Sequence, residues 1–108
     1  MTLKSEWLSD INDMHYKFGA TEWVDNMHRS KNYKVLKDFL AFRLDFLEEE
    51  FEETQAAFFK NDSKEVVDGL IDLIVIAIGT LDLFKCDADV VWDKIHHSNM
   101  AKEPGANK

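Results

Sequence analysis

Glu65-Val66-Val67-Asp68-Gly69-Leu70-Ile71-Asp72-Leu73-Ile74-Val75-Ile76-Ala77-Ile78 is the stretch on which the fold turns. Its acidic residues, Glu65, Asp68 and Asp72, recur at steps of three and four, so they share one face of a helix. The same segment runs on as an apolar helix to Phe84, interrupted only by Asp72 and Asp82 among charged residues beyond Gly69. A membrane span needs roughly 20 residues with few charges, so the run reads as a buried helix of a globular protein, with no membrane partner. Beyond Gly69 it is apolar on nearly every side. A helix wet on no face needs more than one neighbour, and in so short a chain a second subunit is the expected cover. Carboxylates entering such a helix are costly when unpaired, which calls for something positive between helices.

Upstream, Asn61-Asp62-Ser63 breaks the pattern, and Asp62 followed by Glu65 has the form of a helix start with a box-like cap. Tyr33 to Phe59 then reads as one long helix. Its inner stripe is Leu36, Phe39 or Leu40, Arg43, Leu47, Glu50, Thr54 and Ala57, and the two charged residues on it do not suit a plain core. Glu49 and Glu50 lie four and three residues before Glu53, so Glu53 shares a face with both. An antiparallel hairpin around Asn61 would set Glu49, Glu50 and Glu53 against Glu65, Asp68 and Asp72. An acidic run alone is usually a solvated face. Acidic residues within the apolar partner helix favour a cation site, and oxygen donors without His or Cys point to magnesium or manganese. Such a site implies that removing the cation destabilises the bundle and that Asp68→Asn partly rescues the metal-free protein.

The rest of the chain continues the helical pattern. From about Thr2 to Lys17, Leu3, Trp7, Ile11, Met14 and Phe18 form an amphipathic stripe that Gly19 ends. Thr21–Asn32 reads as a short helix or an ordered connection. Cys86-Asp87-Ala88-Asp89 restarts a last helix to about Met100. The reading is therefore all-α, a bundle of four to five helices, with residues 1–102 as the domain and 103–108 as a loose tail containing Pro104 and Gly105. At 108 residues, 45% hydrophobic and 31% charged, the chain suits one small helical domain. A net charge of −8 argues against a nucleic-acid partner. Cys86 is the single cysteine, which excludes an internal disulfide and fits a reducing cytoplasm. Lys4, Glu6, Asp10 and Asp13 interrupt any signal peptide.

These residues carry a family resemblance. Glu49-Glu50-x-x-Glu53 and, eleven residues on, Glu65-x-x-Asp68 resemble the signature of the all-α nucleoside triphosphate pyrophosphohydrolases, the MazG-like superfamily. Asp68-Gly69-Leu70-Ile71-Asp72-Leu73 followed by Gly79-Thr80 resembles the branch related to phosphoribosyl-ATP pyrophosphohydrolase. So do Met14-His15-Tyr16-Lys17-Phe18-Gly19 and Ile95-His96-His97-Ser98-Asn99-Met100-Ala101-Lys102, so the likeness spans about Ile11 to Lys102.

The resemblance implies magnesium-dependent hydrolysis of a (deoxy)nucleoside triphosphate to the monophosphate and pyrophosphate. Glu49, Glu50, Glu53, Glu65 and Asp68 would hold Mg²⁺, with Mn²⁺ as a substitute, and Glu49 or Glu50 would take the proton from the attacking water. Asp72 would support a ligand from behind, and Arg43 would pair with the acidic cluster. Asn99 and Lys102 would contact substrate, and Trp23 could stack a base. His15, Trp7 and Trp92 read as structural, and His96 and His97 as helix-end caps. The expected assembly is a homodimer or homotetramer. Within the same fold, a phosphoribosyl-ATP or dUTP/dCTP-type diphosphatase is the alternative; outside it, a non-catalytic helical oligomer. Deoxynucleotide pool control, clearance of damaged nucleotides and a phage programme all suit the chemistry.

Overall fold

The computed structural model describes residues 5–105, which form five helices and no strand. They are α1 (Ser5–Lys17), α2 (Ala20–Arg29), α3 (Tyr33–Phe59), α4 (Ser63–Leu83) and α5 (Ala88–Met100). Thr2 and Leu3, placed by the sequence at the start of the first helix, and residues 106–108 of the tail lie outside the described residues. The all-α expectation holds, and α3 has the limits read from its pattern. Thr21–Asn32, left open as helix or connection, contains most of α2.

The turns show how local chemistry sets these limits. Asp62 caps α4 by accepting a hydrogen bond from the Glu65 amide at 3.1 Å, and Asp87 caps α5 by accepting from Val90 at 3.3 Å. Helices α2, α3 and α4 each end on a left-handed residue, Lys31, Asn61 and Lys85, with φ of 57°, 57° and 55°. The next amide in each case reaches back to Met27, Ala57 or Leu81 at 2.9–3.0 Å, closing the same helix-ending motif three times.

Helices α3 and α4 form an antiparallel hairpin, the largest contact in the molecule, with α1 laid along α4 and α2 against the start of α3. Gly69 permits the close approach of the hairpin, because a Cβ there would overlap the Thr54 side chain. At the far end, Val24, Leu36 and Leu83 form the core, with Ala20, Met27, Phe39 and Phe84 packed around them. The inner stripe of α3 is as the sequence suggests: Leu36 and Thr54 are buried, Phe39, Arg43, Leu47, Glu50 and Ala57 half-buried, and Leu40 is exposed.

Much apolar surface stays uncovered. Leu70 is 50% and Ile71 47% exposed on the face of α4 away from α3, and α5 buries no residue at all. The radius of gyration is 16.4 Å, against about 13 Å for a close-packed domain of this length. No helix among the described residues is long and apolar enough to cross a membrane.

Candidate active site

The hairpin register decides which carboxylates meet. Thr54 lies against Gly69, and Arg43 reaches Ile76 and Thr80, so Glu50 falls level with Asp72. The two line a cavity of about 250 Å³ with Met14, His15, Arg43 and Phe46. Burial first, then the charges of Glu53, Asp72 and Glu49, push the Glu50 carboxyl above its ordinary range. Three carboxylates thus act on Glu50, two from its own helix and Asp72 from α4.

Glu65 and Asp68 are exposed nearer the hairpin turn, and neither is among the charges acting on Glu50. Helical rise puts Glu65 roughly 10 Å along the axis from Asp72. Among the described residues, no three acidic, histidine or cysteine side chains stand together as a ready-made ion site. The donor chemistry nonetheless fits a hard cation: Glu49, Glu50, Glu53 and Asp72 offer carboxylate oxygens, free of hydrogen bonds and ion pairs among the described residues.

Among the described residues, Arg43 forms no ion pair with a carboxylate. Its Nε donates to Thr80 Oγ1 and its Nη2 to the Ile76 carbonyl, both at 3.0 Å, which fastens α3 to α4. Thr80 Oγ1 in turn donates to the same carbonyl at 2.8 Å. Beside it, buried His15 hydrogen-bonds through Nδ1 to Asp82 Oδ2 at 2.9 Å, and Asn12 Nδ2 donates to Asp82 Oδ1 at 2.9 Å. His15 is structural, as its sequence context suggests, and its partner is Asp82. The sequence signal for this pairing is that Asp82 is a second carboxylate inside the same apolar helix.

The aromatic and carboxy-terminal candidates fare differently. Trp23 meets Phe39 edge-to-face at 5.1 Å between centroids, and Phe39, Phe42 and Phe46 continue at 6.5 and 6.4 Å. This row ends at Phe46, one helical turn from Glu50, so Trp23 connects to the cavity through other rings. Lys102 Nζ donates to Asn99 Oδ1 at 3.1 Å, and both residues are exposed at the end of unburied α5. Within this chain the structure does not join them to the carboxylates. Cys86 is exposed and bonded to no other cysteine.

A family model described as phosphoribosyl-ATP pyrophosphohydrolase matches residues 24–99, which include α3, α4 and all the carboxylates discussed above. Comparison with curated proteins and with solved structures yields no match.

Proposed function

The chain belongs to the phosphoribosyl-ATP pyrophosphohydrolase family, and on that premise we propose that it is a magnesium-dependent enzyme cleaving a (deoxy)nucleoside triphosphate to the monophosphate and pyrophosphate. Family membership implies pyrophosphohydrolase activity on a nucleotide-like substrate. The observation that carries the finer reading is Glu50, whose pKa is raised first by its own burial and then by Glu53 on its own helix, Asp72 on the next and Glu49. Such mutual repulsion is relieved when a divalent ion is held between the helices.

Glu49, Glu50, Glu53 and Asp72 would hold Mg²⁺, with Mn²⁺ as substitute, and Asp68 and Glu65 would reach the cluster from the hairpin end. The ion would polarise the phosphoryl oxygens and offset the charge of the departing pyrophosphate. The glutamate not fully engaged by the ion would take the proton from the attacking water: Glu50, which lines the cavity, or Glu49, its neighbour on the helix. The water oxygen bonds to phosphorus, the bridging P–O bond breaks, and the proton passes to the glutamate. Phe46 and Phe42, on the turns before Glu50, offer ring faces on which a base could lie.

The uncovered apolar faces of α4 and α5 support a homodimer or homotetramer, since Leu70, Ile71, Val90, Val91 and Ile95 stand exposed on the single chain. In such an assembly Asn99 and Lys102 are free to serve a neighbouring copy's site.

Incubation with a panel of deoxynucleoside triphosphates and phosphoribosyl-ATP, followed by phosphorus NMR, tests the function. The expected products are a monophosphate and pyrophosphate, formed with magnesium and absent with chelator. No product from any member of the panel would overturn the proposal, and preference for phosphoribosyl-ATP would replace its substrate.

A further inference from the structure

Among the described residues, Arg43 is a cation without an anion. It is half-buried, burial pushes its guanidinium below the ordinary arginine range, and no carboxylate among the described residues forms an ion pair with it. Nor is it among the groups that act on Glu50, although both line the same cavity. Two of its donors are spent on Thr80 and the Ile76 carbonyl, which fix the plane of the guanidinium and leave its remaining N–H groups unused.

The surroundings keep the guanidinium in place. A Cβ on Gly79 would lie 2.7 Å from Arg43 Nη2 and 3.1 and 3.3 Å from His15 Cε1 and Nε2. Arginine and histidine therefore close over the same point of α4, which only a residue without a side chain leaves open. A glycine inside a helix is otherwise unfavourable, so its place there suits this close approach. His15 is itself braced by Asp82, and Asp82 by Asn12.

We propose that Arg43 binds the phosphate tail of the substrate, the part that leaves as pyrophosphate, with His15 and Gly79 as the positioning residues that hold its guanidinium toward the cavity. The assignment rests on the nucleotide-hydrolase reading above. A guanidinium fork matches phosphate oxygens two at a time, and a half-buried one loses little by exchanging water for an anion. The volume agrees: about 250 Å³ is below the roughly 300–1,000 Å³ of pockets that enclose a whole small ligand, so this cavity takes one end of a nucleotide.

The test is calorimetric titration of inorganic pyrophosphate, with magnesium, into the full chain. Arg43→Gln is expected to weaken binding by about tenfold to a hundredfold, as loss of a charge-assisted contact does, and Arg43→Lys by less. Gly79→Ala keeps the charge but displaces it, and is expected to weaken binding as well. Circular-dichroism melts identify the folded variants. A purely structural arginine would lower the melting temperature and leave pyrophosphate affinity unchanged. Wild-type affinity in folded Arg43→Gln, or in Arg43→Lys and Gly79→Ala where the glutamine variant does not fold, overturns the proposal. If wild-type protein hydrolyses triphosphates while these variants bind pyrophosphate normally, only the arginine assignment falls. If it binds pyrophosphate through Arg43 but hydrolyses nothing, only the catalytic reading falls.

Discussion

At the scale of single residues, Glu50 is where charge and burial conflict. Its folded-state pKa is raised by burial and by Glu53, Asp72 and Glu49, whereas in the unfolded chain it returns to the ordinary glutamate value. Below about pH 4 both states hold the proton and no penalty arises. As pH rises from there through the raised value, the folded state bears a charge it disfavours and stability is lost. Glu50→Gln is therefore expected to melt like wild type at low pH and above it at pH 7 in metal-free buffer, as read by circular dichroism. Asp72→Asn should give part of the same gain and Asp68→Asn less, because Asp72 acts on Glu50 and Asp68 does not; the reverse order would contradict the hairpin register. Glu50 was legible in the sequence as a charge on an inner stripe. Its partner was not, because spacing within each helix says which carboxylates share a face but leaves open how two helices slide past one another. Gly69 against Thr54 sets that register, and no one-helix pattern reports it.

At the scale of elements, the ends of α3 and the start of α4 were legible because their signals are local: Asn61 takes the left-handed position and Asp62 supplies the cap. Helix α2 was harder to read, since it ends on Lys31 where a glycine would have marked the stop. Lys31→Gly relieves that conformation, and is expected to add about 0.5–1 kcal/mol to the unfolding free energy in a urea melt. Gly69→Ala should do the opposite. It drives a methyl group into Thr54 and is expected to cost about 1–3 kcal/mol, by prising α3 from α4. A neutral Gly69→Ala would mean the hairpin is looser than the packing indicates.

At the scale of the whole molecule, α5 is the instructive part. Its restart at Cys86–Asp89 and its end near Met100 were readable, yet such signals do not say whether an apolar face is covered, and in this chain the one with Val90, Val91 and Ile95 is not. The same holds for Leu70, Ile71 and Ile74 on α4. Ile74→Glu places a charge in that surface and is expected to convert the proposed oligomer to monomer in size-exclusion chromatography, with the wild-type melting temperature rising with protein concentration. A wild-type monomer at all concentrations would remove the second copy. The placement of Asn99 and Lys102, legible only by resemblance, depends on that assembly.

The proposed enzyme hydrolyses a nucleoside triphosphate with magnesium at the carboxylates of α3 and α4 gathered around Glu50. Steady-state pyrophosphate release from the best substrate, by wild type and by Glu50→Gln side by side, tests it most directly. Release by wild type with magnesium and a fall in kcat of about 10²–10⁴ in Glu50→Gln, with the variant folded, is the expected result. A folded Glu50→Gln that releases pyrophosphate at the wild-type rate would contradict it.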